Sequence, residues 1–328
     1  MINRVKSKLR WDDFISAMKI KGFNQIKSLK FSRKFSNDGY SMLIEAPIQG
    51  GAIRDPSHLH ICPHLIFRPH TEEQLGKIVA TSQKYEIPIT FCSGKTGLSG
   101  GYVNFAIVVD LEDLHSFPEP ITIDTNQKTL VAEQSALVSD LIKNTLYESE
   151  RKLIFPIQPA SALKLPVRVG GIIASNASGV ISGKLGAVKE WIRELRVMTP
   201  KGNIRIIRKK DPFFDKLVGG NGYHGVILSS TFRLYEPPEH LEQAILFGQN
   251  IDSAFKGLQE ILEQEIFLQV SEFVMSPKVL TEKFNSLAES TEEIKNVKWA
   301  TLLQGDPKKL SKFINIMKQN TILGTLTL

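Results

Sequence analysis

A loop rich in glycine and hydroxyl side chains, FCSGKTGLSGG, occupies residues 91–101. Glycine leaves the main chain free to adopt conformations in which several N–H groups converge on one anion. The glycines are Gly94, Gly97, Gly100 and Gly101, and the hydroxyl donors are Ser93, Thr96 and Ser99. The pattern predicts a nest for a phosphate or pyrophosphate, although a flexible turn between two strands has the same composition.

Two better-known phosphate motifs fail on their spacing or surroundings. Gly94, Lys95 and Thr96 spell the end of a P-loop, but that motif needs a glycine where this chain has Ile89. The stretch GNGYHG at 220–225 matches the dinucleotide fingerprint, which needs a helix immediately after it. The β-rich VILSSTFRL follows instead. We therefore predict neither a P-loop nor a Rossmann site.

Two further glycine-rich stretches could approach a ligand closely. VGGIIASNASG at 169–179 consists almost entirely of small residues, which lets a flat ring or another main chain come near, although a tightly packed helix fits as well. A third cluster covers 219–225, and a proline-containing loop, FPIQPAS, lies between the first two. The recurrence of such stretches favours a ligand over a simple turn.

The stretch HLHICPH could in principle bind a metal ion. It places His58, His60, Cys62 and His64 at alternate positions, so a strand would direct all four to one face. Pro63 interrupts such a strand. We interpret these residues as part of an ordinary loop and predict no metal site.

The surrounding elements should hold the first loop between two buried strands. Thr71 and Gln74 form a capping box before a helix that runs to about Tyr85. IPITF at 87–91 and AIVVDL at 106–111 are apolar enough to be strands buried on both faces. Further predicted elements are strands 121–123 and 129–134, a helix from 137 to 147, and a hairpin of ELRVMT and NIRII turning at Pro200, Lys201 and Gly202.

Composition limits the class of protein. The chain has 328 residues, a net charge of +7 and 42% hydrophobic residues, enough for two domains with cores. There are only two cysteines, no 18-residue apolar run, and no apolar segment of a signal peptide at the start. These features predict a cytoplasmic protein without a membrane span, whose short basic clusters are solvated surface.

Five blocks along the chain resemble the FAD-binding domain of the vanillyl-alcohol oxidase and p-cresol methylhydroxylase (PCMH) family. Within it, the branch of D-lactate dehydrogenases and glycolate oxidases is the most similar. The blocks are SGKTGLSGG (93–101), QPASA (158–162), RVGGIIASNASG (168–179), KLG (184–186) and GGNGYHGVILS (219–229). The resemblance extends from about Pro63 to Pro238.

The resemblance implies FAD as the cofactor, with the first loop around its pyrophosphate and the main chain near Ile227 pairing with adenine. The implied pyrophosphate residues are Ser93, Gly94, Lys95, Thr96, Gly97, Leu98, Ser99 and Gly100. The residues implied at the flavin edge are Pro159, Ala160 and Ser161, those along the isoalloxazine and ribityl groups are Gly170, Gly171, Ser175, Asn176, Ser178 and Gly179, and KLG adds Gly186. The loop lacks the histidine of covalently linked members, so we expect noncovalent FAD.

The implied fold is α+β, with a two-lobed PCMH-type FAD-binding domain followed by a ferredoxin-like (βαββαβ) partial cap domain. Residues 1–50 form a leader with a helix over about 11–21 and then a polar loop, 51–238 the FAD-binding domain, and 239–328 the cap. The double proline at 237–238 marks the boundary. The predicted elements of the cap are strands 243–248, 267–274, 298–303 and 321–327 and helices 251–264, 277–285 and 307–318.

The resemblance leaves three functional hypotheses. The first is oxidation of a D-2-hydroxy acid, such as D-lactate or glycolate, by hydride transfer to flavin N5. The second is an FAD-binding subunit or electron-transfer component that works with a partner chain or electron acceptor, because the family continues beyond the position of Leu328. A nucleic-acid binder using the basic surface is the third. No residue is predicted as the catalytic base. Ile172, Leu185 and Asn221 depart from the family pattern, and these departures concern catalysis more than FAD binding.

Overall fold

The structure is a computed structural model that describes most of the chain. The described residues are 11–18, 33–37, 42–46, 63, 65–97, 100–102, 106–248, 250–266, 268, 270–274, 298–320 and 324–327. They divide into two compact units. The first comprises residues 1–155, 160–177 and 191–235, and the second comprises 156–159, 178–190 and 236–328. The domain boundaries predicted after residues 50 and 238 are not tested by this division and stay a prediction.

The first unit contains a mixed five-stranded sheet in the order β1-β2-β3-β5-β4. Its strands are β1 Arg33–Asn37, β2 Met42–Ala46, β3 Leu65–Arg68, β4 Ile89–Cys92 and β5 Ile107–Asp110. β3, β5 and β4 are parallel, so their carboxyl ends lie at one edge of the sheet. Ligands bind at this edge in open sheets of parallel strands, and it is here that the glycine loop begins.

Helix α2, Glu72–Lys84, begins at the predicted capping box. The main-chain N–H of Gln74 donates to Thr71 Oγ1 (3.3 Å), and that of Thr71 donates to Gln74 Oε1 (3.2 Å). The apolar face of the helix packs into a core that also contains β3, β5 and the side chain of Met198. The predicted helix and its start are therefore confirmed.

An ion pair joins the first turn of α2 to the second sheet of the same unit. The Arg196 guanidinium donates two hydrogen bonds to the Glu72 carboxylate, one of them 2.6 Å long. Burial raises the pKa of Glu72, but the hydrogen bonds from Arg196 and Ser116 and the charge of Arg196 together lower it by more, so its pKa lies below its usual value. Arg196 also lies over the ring of Phe117, 5.9 Å from its centroid.

The second sheet of the first unit has the order β6-β7-β10-β8-β9, with every pair antiparallel. Its strands are β6 Ile121–Asp124, β7 Thr129–Glu133, β8 Ile192–Met198, β9 Ile204–Arg208 and β10 Val226–Arg233. The predicted β8–β9 hairpin is confirmed, since Gly202 N–H donates to Thr199 O and Gly202 adopts φ +82°. On β10, the buried Phe232 meets Phe155 edge to face, 5.2 Å between ring centroids.

Short helices connect these strands. They are α3 Val138–Glu148, α4 Val169–Ala174 and α6 Phe214–Leu217 in the first unit, and α5 Ser182–Leu185 in the second. 3₁₀ turns occupy Ala160–Leu163 and Val188–Glu190. The strand β10, and not a helix, follows GNGYHG, so this stretch lacks the helix that a Rossmann site needs.

The second unit contains a four-stranded antiparallel sheet in the order β12-β13-β11-β14. Its elements are β11 Glu242–Gly248, α7 Ile251–Glu263, β12 Val270–Val274, β13 Trp299–Gly305, α8 Pro307–Asn320 and β14 Gly324–Thr327. The apolar faces of α7 and α8 pack with β11 and β13 around the buried Trp299. This order is consistent with the predicted βαββαβ unit, and the predicted helix over 277–285 lies outside the described residues.

The N-terminal part of the chain differs from its prediction. Helix α1 covers Trp11–Ala17, and its Phe14 packs edge to face on Phe67 of β3 (6.3 Å between centroids). The predicted polar loop is wrong where β1 and β2 lie, because they pair with each other and β2 pairs with β3. The Asn37–Asp38–Gly39 sequence, typical of a hairpin turn, is the signal that could have indicated this pair.

Candidate functional site

The glycine loop leaves the carboxyl end of β4 and approaches the segment that precedes α4. A Cβ atom on Gly94 would lie 2.0 Å from the carbonyl oxygen of Pro166, so no larger residue fits there. Lys95 adopts φ +53° and Gly100 φ +73°, left-handed conformations of the kind that occur in anion-binding nests. Leu98 and Ser99, both predicted at the cofactor, lie outside the described residues.

Asp110, at the carboxyl end of β5, holds the loop through Lys95. The ammonium of Lys95 donates to Asp110 Oδ2 at 2.7 Å, and Arg68 Nε donates to the same oxygen at 3.2 Å. Asp110 is 1% exposed. Burial lowers the pKa of Lys95, but the hydrogen bond to Asp110 and the negative charges nearby together raise it by more, so its pKa lies above its usual value. The Lys95 ammonium is therefore already paired with a carboxylate of the protein, which leaves the main chain of Lys95 as the part that could contact the cofactor.

A second carboxylate extends this network to the start of α4. Glu112 Oε2 lies 3.8 Å from Lys95 Nζ, and its Oε1 accepts from Arg168. Arg168 also donates to the carbonyl of Ser135. Because Arg168 is the N-cap residue of α4, the network ties the glycine loop to the second glycine-rich segment.

The second and third glycine-rich segments contact each other at the end of α4. The N–H of Gly219 donates to the carbonyl of Ile173 (3.1 Å), and that of Asn221 donates to Ala174 (2.8 Å). Gly219 at φ +83° faces Asn176, itself at φ +47°. At the other end of α4, Gly170 N–H donates to the Gln134 carbonyl (2.9 Å). The first unit thus brings three separate glycine-rich segments together.

The accessible surface near α4 is lined by small residues that were predicted to approach the flavin. Gly171 is exposed, and a Cβ atom built on it meets nothing within 4 Å. Ser175, at the carboxyl end of the helix, is exposed and donates to the Gly171 carbonyl (2.8 Å). Ala160 and Ser161 are also exposed. The space above Gly171 can therefore receive a ligand without displacing other residues.

A cavity of about 450 Å³ lies between α2, β4, the β8–β9 turn and the third glycine cluster, all within the first unit. Its apolar wall includes Val79, Ile87, Ile89, Phe91, Met198 and Val226. Its glycine-rich rim includes Gly100, Gly101 and Gly222. Ile227, predicted near adenine, follows Val226 on β10. The cavity size is that of a small-molecule site.

Two buried hydroxyl groups, one in the cavity wall and one in the loop, have no hydrogen-bond partner among the residues that the structure describes. They are Ser82 Oγ, in a residue that is 2% exposed and lines the cavity, and Ser93 Oγ, at the start of the loop. Buried polar groups are normally paired, so each of these oxygens fits a site that a polar ligand completes. Ser93 was predicted from the sequence, whereas Ser82 was not.

The remaining predicted site residues belong to the second unit. A Cβ atom on Gly179 would lie 2.5 Å from the main-chain nitrogen of Gln158, so this position also requires glycine. Val180 N–H donates to the Gln158 carbonyl (3.1 Å) and thereby fixes the loop that contains Pro159. Ser178 is exposed, and Gly186 ends α5 at φ +73°. Their assignment to the cofactor stays a prediction.

Sequence reasoning missed the anchoring residues of this site. Asp110 ends a buried strand, where a charged side chain is unusual. This charged residue at the end of an apolar run is the sequence signal that could have indicated its role. Cys92, its neighbour across the β4–β5 pair, is buried, and burial raises the pKa of its thiol far above the usual value. A group so hard to ionise is not a nucleophile.

Two kinds of site find no support within the described residues. No group of three His, Cys, Asp or Glu side chains there could hold a metal ion, and the HLHICPH residues His58, His60, Cys62 and His64 lie outside the described part. Among the helices that the structure describes, none combines the length and apolarity needed to cross a membrane.

Comparison with known proteins identifies the class to which this site belongs. Residues 63–208 match the family model described as FAD binding domain. Residues 63–208 of the chain are thus similar to FAD-binding domains, and the resemblance predicted from the five sequence blocks is confirmed. FAD is the cofactor that this similarity supports.

Curated relatives come from the predicted branch of the family. A D-2-hydroxyglutarate dehydrogenase of Xanthomonas citri pv. viticola is 28% identical over 185 residues, 54% of this chain and 38% of the relative. A D-lactate dehydrogenase of Anaerostipes hadrus is 22% identical over 68% of this chain and 47% of its own. The glycolate oxidase subunit GlcD of Bacillus subtilis is 22% identical over 66% of this chain and 47% of its own. The chain spans less than half the length of these relatives.

A solved structure shares the fold. An alkyldihydroxyacetonephosphate synthase superimposes with a TM-score of 0.64 and 19% identity, over 82% of this chain and 54% of that chain. At this identity the likeness concerns the fold alone. The predicted fold class, an α+β chain with a PCMH-type FAD-binding domain, is confirmed.

Proposed function

We propose that this chain is an FAD-dependent oxidoreductase that oxidises a D-2-hydroxy acid, such as D-lactate or glycolate. The observation that carries the proposal is the meeting of three glycine-rich segments in the first unit, beside a cavity rimmed by Gly100, Gly101 and Gly222. Such segments let main-chain amides and a flat ring approach each other closely. The match of residues 63–208 to FAD-binding domains supports the same ligand.

The loop would hold the FAD pyrophosphate chiefly through its main chain. The left-handed conformation of Lys95 and the glycines around it would let the amides turn toward the phosphates, while Asp110 retains the Lys95 ammonium. Ser93 Oγ, buried and without a partner, would donate to a phosphate oxygen. The proposed pyrophosphate residues are Ser93 to Gly100, including Leu98 and Ser99.

The flavin ring would lie over the small residues near α4. The open space above Gly171 and the exposure of Ser175 leave room for a flat ring at this surface. FAD bound there would supply the acceptor for a hydride from the α-carbon of the substrate. The residues proposed along the ring and ribityl chain are Ala160, Ser161, Gly170, Gly171, Ser175 and Asn176.

The named activities of the relatives support the substrate class. Dehydrogenases of D-2-hydroxyglutarate and D-lactate and a glycolate oxidase subunit all act on 2-hydroxy acids. We assign no general base to this chain. We also propose that the FAD is held noncovalently, because residues 93–101 contain no histidine. A cytoplasmic location is part of the same proposal.

The alternative is an FAD-binding subunit that leaves substrate oxidation to a partner chain. One observation favours it: a similar protein, GlcD of Bacillus subtilis, is named as a subunit of glycolate oxidase. Anaerobic mixing of the FAD-loaded chain with D-lactate, glycolate or D-2-hydroxyglutarate separates the two hypotheses. Bleaching of the flavin absorbance near 450 nm supports the dehydrogenase, whereas flavin that binds and stays oxidised supports the alternative.

A further inference from the structure

Tyr223 is a large aromatic side chain that remains in solvent at the edge of the cavity. It is 86% exposed, and it lines the cavity together with Asn221 and Gly222. Its main chain is fixed in a turn, because its N–H donates to the Gly220 carbonyl (3.0 Å) and Gly222 adopts φ +79°. A fixed main chain with a free aromatic ring suits a residue that covers a ligand after it binds.

One polar group in the wall of the cavity, the Ser82 hydroxyl, has no hydrogen-bond partner among the described residues. Ser82 Oγ is buried, and much of the surrounding wall is formed by apolar side chains such as Val79 and Met198. A ligand that suits this space is largely apolar on its faces and carries a hydrogen-bonding atom at its edge. A purine base has these properties.

The position of the cavity selects the purine rather than the flavin. Gly100 and Gly101, at the end of the proposed pyrophosphate loop, line it, and Val226 beside the predicted adenine contact at Ile227 lines it too. None of the small residues at 169–179, where the proposed flavin surface lies, is among its lining residues. The two ring systems of FAD would therefore occupy different places.

We propose that Tyr223 stacks on the purine ring of the bound nucleotide and that Ser82 donates or accepts a hydrogen bond at its edge. The inference rests on the proposed FAD function and names two residues that determine affinity for the adenine half of the cofactor. Stacking of a base on an aromatic side chain raises the binding affinity about tenfold or more. A hydrogen bond contributes roughly two- to tenfold.

The test compares Tyr223→Ala and Tyr223→Phe by isothermal titration with FAD, FMN and ADP. We expect Tyr223→Ala to weaken FAD and ADP by the same factor, about tenfold, and to leave FMN unchanged. Tyr223→Phe keeps the ring and should bind all three like the wild type. Because the side chain is exposed, neither variant should alter the unfolding midpoint.

Other results of these titrations would contradict either the purine assignment or the proposed function. FAD affinity unchanged in Tyr223→Ala, loss of FMN affinity in that variant, or failure of ADP to displace FAD from the wild type would overturn the purine assignment. A folded wild type that binds no FAD would instead refute the proposed function itself. The two failures are therefore distinguishable.

Ser82→Ala gives an independent readout. Removing an unpaired buried hydroxyl should leave the free protein as stable as the wild type or more stable, yet weaken FAD and ADP about two- to tenfold. Higher stability with unchanged affinity would remove Ser82 from the proposal. Ser149→Ala is the matched control, because its buried hydroxyl is already bonded to the Thr145 carbonyl (2.6 Å); it should lose stability without a change in affinity.

Discussion

Replacing Asp110 with asparagine tests the anchor of the glycine loop. The change is nearly isosteric but removes the charge on which Lys95 Nζ (2.7 Å) and Arg68 Nε (3.2 Å) converge. Hydrogen bonds to charged groups contribute about 1.5–3 kcal/mol each. Because both cations keep contact with water, with side chains 33% and 27% exposed, we expect the lower end, about 2–3 kcal/mol for the pair.

Urea unfolding measures this loss as a shift of the midpoint at unchanged slope. Glu150→Gln is the control, because its pair with Lys152 (3.2 Å) lies in solvent and should contribute less than about 0.5 kcal/mol. An Asp110→Asn variant within about 0.5 kcal/mol of the wild type would refute the anchoring role.

The same variant should weaken FAD binding through the loop conformation. Lys95 holds φ +53°, which costs a residue other than glycine roughly 1 kcal/mol or more, and the bond to Asp110 offsets that cost. Without the bond we expect about tenfold weaker FAD binding. Adding Lys95→Gly should restore most of the affinity, because glycine adopts this φ freely. A double variant as weak as Asp110→Asn alone would contradict the explanation.

Three further predictions concern groups around the site. The stability lost in Glu72→Gln should be constant at neutral pH and vanish as the pH falls through the lowered carboxyl pKa, because protonation of Glu72 ends its pairing with Arg196; a loss that grows on acidification would exclude this pairing. In a Cys62→Ser background, the Cys92 thiol should react with a disulfide reagent only after unfolding, and rapid reaction of the native chain would contradict its burial. Gly94→Ala should disturb the loop and lower FAD affinity at least tenfold, since its Cβ would lie 2.0 Å from a carbonyl oxygen, and an unchanged affinity would show that the loop relaxes.

Local patterns predicted those elements whose signals lie within a few residues. The capping box of α2 and the β8–β9 hairpin were both predicted correctly because their hydrogen bonds join near neighbours in sequence. The pairing of β2 with β3 was missed because it depends on contacts between distant segments, and β-propensity is decided largely by such context.

The candidate site shows the same limit. The glycines could be recognised because their conformational freedom is a property of the residue itself, as at Gly94. Asp110 and Ser82 were missed because their roles arise from burial: one becomes a shared acceptor at the end of β5, the other an unpaired hydroxyl in a cavity wall. Neither environment is visible before the strands and helices are placed together.

Equilibrium titration of the full chain with FAD, followed by acid denaturation and removal of the protein, tests the central claim most directly. We predict saturation at one FAD per chain, with all of the flavin released into the supernatant on denaturation. A chain that is folded by circular dichroism yet binds no FAD at saturating concentration would contradict the account.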